Sequence, residues 1–248
     1  GTNYANDYYD FLQGADDHRR IGPRRAVASG WISPDAMRRG MVLTFVLAVL
    51  TGSFLIPYGG WWLLLVGLLS VVCGIAYTGG PYPLGYNGWG DLFVFVFFGW
   101  VATGLTYYVQ AGTFVLSLPG GASPAWIWLA GVLPGALSTN LLVVNNVRDQ
   151  PLDREAGKRT LAVRLGRRFA EAEFAFLNGL ALAAALLFAL PGDTRGTLLV
   201  FALLPWMIRL SVQLKSARDR GAFQVILAQT ALVLLLAGLL FSTGLLLS

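Results

Sequence analysis

Residues 223–247 read FQVILAQTALVLLLAGLLFSTGLLL, 25 consecutive positions without an Asp, Glu, Lys or Arg. A hydrocarbon layer about 30 Å thick needs roughly 20 apolar residues in helical form, so this run is long enough to cross it. Toward the N-terminus comparable runs recur at 40–57, 61–77, 91–112, 125–146, 169–190 and 196–213, which predicts about seven spans. The bulk composition agrees. Hydrophobic residues make up 56% of the 248 positions and charged ones only 12%, against the roughly 25% charged of soluble chains. Mean hydropathy is +0.62. A soluble domain is excluded, and the expected fold class is all-α, a polytopic transmembrane helical bundle.

The punctuation between runs is turn chemistry: Pro57-Tyr58-Gly59-Gly60, Gly79-Gly80-Pro81, Pro119-Gly120-Gly121 and Pro191-Gly192. Trp61, Trp62, Trp126 and Trp128 cluster at expected span starts, as an interfacial aromatic belt requires. The single Cys73 lies inside an apolar run and reads as a small buried residue; one cysteine builds no intrachain disulfide. The net charge of +5 would suggest nucleic acid in a soluble chain. Here the basic residues sit between spans, so no nucleic-acid partner is expected. Of the 18 Lys and Arg residues, all but Arg195 fall in the stretches up to 39, 147–168 and 209–220. Those lie on one side of the alternating topology. By the positive-inside rule they face the cytoplasm, the C-terminus lies outside, and a bacterial plasma membrane is the expected location.

Two acidic pairs stand in those cytoplasmic stretches. Asp7 and Asp10 are three residues apart, Asp149 and Asp153 four apart, so each pair projects from one face of a continuous helix. Asn6 to Asp10 and Asn145 to Asp149 share the spacing Asn-x-x-x-Asp at an offset of 139 residues, which suggests two half-sites. Paired carboxylates repel unless a cation joins them. Mg²⁺ takes hard oxygen ligands and completes its shell with phosphate oxygens, so the two pairs read as a diphosphate clamp. Four carboxylates (about −4) and a diphosphate (about −3) approach neutrality once two Mg²⁺ ions and neighbouring basic groups are added. Arg19, Arg20 and Arg24 follow the first pair, and Arg148, Arg154, Lys158 and Arg159 surround the second. These basic residues also serve as orientation signals, and His18 reads as a solvated loop residue.

From Tyr77 to Asp91 the chain is rich in glycine and has no Lys or Arg. Its glycines let backbone approach a flat ligand, and Tyr77, Tyr82, Tyr86 and Trp89 can cover a ring face; a tight interfacial turn is the alternative. Asp91 is either a helix N-terminal charge or a substrate-facing group.

Asn3 to Asp10, the loop 77–91 running into Leu92 to Gly99, and Asn145 to Gly166 together resemble the UbiA-type intramembrane prenyltransferases. The likeness spans nearly the whole chain. The second motif, with its tail Gly157-Lys158-Arg159-Thr160-Leu161-Ala162-Val163-Arg164-Leu165-Gly166, is similar to the branch acting on 1,4-dihydroxy-2-naphthoate in menaquinone synthesis. Tyr82 departs from the family, whose members often carry a basic residue there.

This resemblance implies one prenyltransferase domain over 1–248, with the first Asp motif and basic loop in 1–39 and the second in 145–168. It implies about seven spans of a nine-helix fold, the first two helices lying upstream. Asp7, Asp10, Asp149 and Asp153, with Asn6, would hold Mg²⁺. Asn3, Asn146, Arg19, Arg20, Arg24, Arg148, Lys158 and Arg159 would bind the diphosphate of a polyprenyl diphosphate. Tyr77, Tyr86 and Asp91 would face the aromatic acceptor, 1,4-dihydroxy-2-naphthoate, giving demethylmenaquinol or demethylmenaquinone. Competing readings are a sister enzyme acting on 4-hydroxybenzoate, homogentisate or a chlorophyllide-like acceptor, and a membrane transporter. A CDP-alcohol phosphotransferase is disfavoured because no Asp-Gly-x-x-Ala-Arg stretch occurs.

Overall fold

The structure is a computed structural model that describes residues 1–15, 22, 24–118, 121–190 and 194–248, with the backbone alone described at Leu118 and Gly121. In chain order the helices are α1 (Thr2–Leu12), α2 (Pro34–Ser53), α3 (Ile56–Gly59) and α4 (Trp62–Ala76). Next comes α5 (Gly90–Phe95), which passes through a π-helical turn (Val96–Val101) into α6 (Ala102–Ala111). After a short hairpin follow α7 (Ala125–Glu155), α8 (Leu161–Leu165) and α9 (Arg167–Ala189). A 3₁₀ segment (Arg195–Leu203) then runs into α10 (Leu204–Ser216), and α11 (Arg220–Leu246) closes the chain.

Each of the seven expected spans coincides with a helix. Six helical stretches are long and apolar enough to cross a membrane, and α4, at 15 residues, is shorter. The fold is an all-α polytopic membrane fold with one exception: Leu116–Leu118 pairs antiparallel with Gly121–Ser123, Leu116 opposite Ser123.

Boundaries follow local chemistry. α2 begins six residues before the apolar run because Ser33 caps it, its hydroxyl accepting from the Ala36 N–H at 3.3 Å, and Pro34 takes the first turn. Asp219 caps α11 in the same way, accepting from the Ala222 N–H at 3.0 Å. The span expected at 196–213 is divided where Pro205 withholds an N–H, so 3₁₀ geometry gives way to α10. The loop expected at 147–168 needs correction. α7 stays helical to Glu155, carrying Asp149 and Asp153 with it. Its 31 residues rise about 46 Å at 1.5 Å each, more than a hydrocarbon layer needs.

The chain forms two compact units: Gly1–Gly90 with Asp149–Arg164, and Asp91–Arg148 with Leu165–Ser248. In the first, α1 packs on α2 and α4. A Cβ at Gly1 would lie 2.6 Å from the Phe45 ring of α2, and one at Gly74 of α4 2.7 Å from the Thr2 hydroxyl, so the start of α1 sits close against both helices. Val42, Val46 and Leu50 of α2 and Leu65, Leu69 and Val72 of α4 are exposed, an apolar exterior suited to lipid.

In the second unit small residues bring backbones together. A Cβ on Gly99 would sit 2.5 Å from the Gly131 carbonyl, which is how the π-helical turn nests against α7. Deeper in, the Asn140 amide donates to Asn178 Oδ1 at 2.9 Å and the Asn178 amide to Ser211 Oγ at 3.4 Å, joining α7, α9 and α10 through polar groups. Such bonds are favoured where water is absent.

Candidate active site

The first acidic pair lies on the buried face of α1. Asp7 is 7% exposed and Asp10 2%. Asp7 accepts from two consecutive backbone N–H groups, Ala26 to Oδ2 at 3.0 Å and Val27 to Oδ1 at 3.2 Å. It thereby fixes the turn in which Trp31 N–H donates to the Ala26 carbonyl and Gly30 N–H to that of Val27. The same helix docks on the end of α4: Thr78 donates its hydroxyl to Asn6 Oδ1 at 3.0 Å, and Gln13 donates to the Thr78 carbonyl at 2.8 Å. Gly79 has to be glycine, since a Cβ there would meet the Tyr9 ring at 2.6 Å.

Asp10 gathers the chemistry. Its Oδ1 accepts the Tyr86 hydroxyl at 2.7 Å and faces the Lys158 ammonium at 3.2 Å, while Oδ2 faces Arg25 at 3.7 Å. Lys158 also stands 4.0 Å from Asp153 Oδ1. One ammonium therefore joins carboxylates of both motifs, far apart in sequence. The ring of Tyr86 lies under the same ammonium, 4.6 Å from its centroid, a cation–π contact that lets the phenol oxygen reach Asp10.

The end of α7 explains why Lys158 is there. Gly157 takes the left-handed conformation at φ 76°. Its N–H donates to the Arg154 carbonyl at 3.2 Å and the Lys158 N–H to that of Asp153 at 2.8 Å. This pair of bonds is a Schellman cap, which stops the helix and turns the next residue back toward its last turn. The following N–H, of Arg159, donates to the Tyr86 carbonyl at 2.7 Å, and Arg164 reaches the Asn87 carbonyl at 3.4 Å. The glycine-rich loop is thus fastened to the tail of the second motif. Gly88 (φ 81°) belongs to that joint, as a Cβ would press on the Arg159 carbonyl at 3.1 Å.

Asp7, Asp10, Asn6, Tyr86, Asp153 and Lys158 are brought into this network of the first unit. Asp149 is half-buried on α7, one turn before Asp153, and Tyr77 is half-buried against Gly85. Asn3 and Arg24 are exposed, and Arg159 enters through its backbone with an exposed side chain. Asn146, Arg148 and Asp91 belong to the second unit. There Arg148 is buried, and Asp91, in the first turn of α5, has a buried Oδ1 without a hydrogen-bond partner among the described residues. Arg19, Arg20 and His18 lie outside the described residues. Sequence reasoning passed over Arg25, indistinguishable there from Arg24, and the hydroxyl role of Tyr86. Nothing in residue spacing selects either.

The donor set is hard oxygen throughout. Among the described residues no three Asp, Glu, His or Cys side chains converge as a closed metal cage. Carboxylates in ones and twos fit Mg²⁺, which shares its shell with waters and phosphate oxygens.

Residues 1–225 match the UbiA prenyltransferase family. The chain is 36% identical to the 1,4-dihydroxy-2-naphthoate octaprenyltransferase of Haemophilus influenzae, over 99% of this chain and 79% of that protein. It is 38% identical to the enzyme of the same name from Mycobacterium tuberculosis, over 95% and 76%. A solved structure of digeranylgeranylglyceryl phosphate synthase matches at TM-score 0.55 and 15% identity, covering 97% of this chain and 80% of that one, a likeness of fold alone. With a family match through most of its length and apolar helices long enough to span a bilayer, the chain belongs to the UbiA prenyltransferase family and is an integral membrane protein.

Proposed function

We propose that the chain transfers a polyprenyl group from polyprenyl diphosphate to 1,4-dihydroxy-2-naphthoate, with loss of CO₂, and that diphosphate is handled at the Asp10–Lys158–Asp153 network. The observation that carries this reading is the single ammonium shared by the two acidic motifs, at 3.2 and 4.0 Å. A site of that composition suits a polyanion delivered with divalent cations. The octaprenyltransferase relatives supply the acceptor.

Asp7, Asp10, Asp149 and Asp153, with Asn6, would hold Mg²⁺. When bound, Mg²⁺ supplies positive charge that neutralises the diphosphate oxygens and stabilises the departing group. Lys158 and Arg25, already beside Asp10, are placed to donate to phosphate oxygens, as are Arg24 and Arg159 once their exposed side chains turn inward. The allylic C1–O bond breaks with its electron pair leaving on diphosphate. The electron-rich ring carbon bearing the carboxylate then bonds to C1. Loss of that carboxylate as CO₂ returns its electron pair to the ring and restores aromaticity, giving demethylmenaquinol, the reduced form of demethylmenaquinone. Exclusion of water by apolar surroundings protects the allylic cation.

This reading takes 1–248 as one prenyltransferase domain in a bacterial plasma membrane, the Asp motifs facing the cytoplasm and the C-terminus outside; the one-sided distribution of Lys and Arg supports it. The test is incubation of the membrane-embedded protein with labelled polyprenyl diphosphate, the naphthoate and Mg²⁺. Labelled naphthol lipid and released CO₂ are expected. Transfer to 4-hydroxybenzoate or homogentisate with none to the naphthoate would move the assignment to a sister enzyme.

A further inference from the structure

We infer that Lys158 is the resident counter-ion of the two acidic motifs, and that a divalent cation gains its carboxylates only as this ammonium moves over to the phosphate oxygens. The inference rests on the diphosphate reading above and adds an order of events to it.

Three observations carry it. First, the two cations need the same oxygen: Asp10 Oδ1 already faces Lys158 at 3.2 Å and accepts Tyr86 at 2.7 Å. A Mg²⁺–oxygen distance of about 2.0–2.1 Å leaves little room for an ammonium on the same side. Second, the carboxylates of the two motifs meet through the ammonium, Asp10 at 3.2 Å and Asp153 at 4.0 Å, so the charge that now joins them is that of Lys158. Third, Lys158 has somewhere to go. Its side chain is 15% exposed on a flexible four-carbon stem, and the Tyr86 ring face 4.6 Å away holds a cation without using a carboxylate. An arginine, planar and bidentate, would lock the pair it joined.

The consequence is coupling. A metal ion alone must evict Lys158 with nothing to receive its charge. Metal arriving with diphosphate exchanges one pairing for another. The two ligands then strengthen each other's binding through a single side chain, as reciprocal linkage demands.

The experiment measures Mn²⁺ binding to the purified full chain by electron paramagnetic resonance, with and without inorganic diphosphate. Without diphosphate, Lys158→Met should bind Mn²⁺ on the order of tenfold more tightly than the unsubstituted protein, the scale of one neighbouring charge removed from a partly screened site. Lys158→Arg should bind no more tightly than the unsubstituted protein. Diphosphate should raise Mn²⁺ affinity several-fold in the unsubstituted protein and much less in Lys158→Met. Equal or weaker Mn²⁺ binding by Lys158→Met overturns the inference.

A second measurement needs no variant. The chain has two lysines, Lys158 and the exposed Lys215, so amine labelling read by mass spectrometry carries its own reference. Mg²⁺ with inorganic diphosphate should change Lys158 labelling at least twofold relative to Lys215; an unchanged ratio overturns the exchange. The turnover assay above separates the two claims. Mg²⁺-dependent transfer with no tightening in Lys158→Met removes the counter-ion inference alone, whereas absence of transfer removes the diphosphate reading on which it rests.

Discussion

The two acidic motifs use the same residue type under opposite constraints. Asp7 and Asp10 are 7% and 2% exposed, and their oxygens are engaged by two backbone N–H groups, a phenol, an ammonium and a guanidinium. The Asp153 side chain, 13% exposed at the end of a 31-residue helix, meets Lys158 at the longer distance of 4.0 Å. The first motif therefore does two jobs: it organises the turn after α1 and anchors the charges. The second brings carboxylates to the same place on a helix whose geometry is fixed independently. A motif that also folds its surroundings couples stability to activity, and one carried on a finished helix separates them.

The largest expected effect comes from Asp10→Asn. The amide oxygen can still accept from Tyr86, so the variant isolates the charge that Lys158 and Arg25 face. Turnover should fall more than about a hundredfold, in the range seen when a key electrostatic group is removed. Melting temperature should fall as well, because a half-buried ammonium loses its closer carboxylate. Asp149→Asn and Asp153→Asn should cost turnover on the same scale with little change in thermal midpoint. A large midpoint drop in the second motif would erase the contrast. Asp7→Ala comes next, lowering turnover through loss of a carboxylate proposed for Mg²⁺ and lowering stability besides. It leaves the Ala26 and Val27 N–H groups without acceptors, at about 1–3 kcal/mol for an unsatisfied buried group, measurable by thermal denaturation in detergent.

This contrast was only half legible in the sequence. Apolar run length marked the seven spans, because the membrane's thickness sets a minimum length that composition cannot hide. The acidic pairs were legible from spacing. The extension of α7 to Glu155 was not, since hydropathy ends where the apolar run ends, whereas Gln150, Leu152, Arg154 and Glu155 are good helix formers that carry the helix onward. Among the basic residues after the second motif, the choice of Lys158 is written in Ala156-Gly157-Lys158 as a helix stop, a local signal overshadowed by charge counting. Arg25 and the Tyr86 hydroxyl are fixed by tertiary packing between distant parts of the chain, and no local pattern announces them. The hairpin at 116–123 has strands of three residues, too short for any alternation to register.

Tyr86→Phe sharpens the picture at smaller scale. The ring stays under Lys158 while one hydrogen bond to a charged acceptor is lost, worth about 1.5–3 kcal/mol. If the phenol only covers an aromatic substrate, the Michaelis constant for the acceptor should rise; if it holds Asp10, Mn²⁺ affinity should change and the acceptor constant should not.

The smallest expected effect tests whether a helix cap, and not the lysine itself, sets the site. Gly157 is left-handed at φ 76°, and nothing lies within 4 Å of where a Cβ would stand, so Gly157→Ala meets no clash and its whole cost is backbone conformation. That cost is about 1–2 kcal/mol for an L residue in this region. The chain can accept it in place, or relieve it by unwinding the Schellman cap, which would carry Lys158 away from Asp10. Gly112, the C-cap of α6, is an internal control, also left-handed at φ 68° and also with open space around it. Both alanine variants should melt lower by a similar amount. Only Gly157→Ala should raise the Michaelis constant for polyprenyl diphosphate, by a few-fold, while its maximal rate changes less. Equal behaviour of the two would mean that Lys158 finds the acidic motifs without help from the turn that precedes it, and the division between a motif that folds its surroundings and a motif delivered by a helix would have to be redrawn.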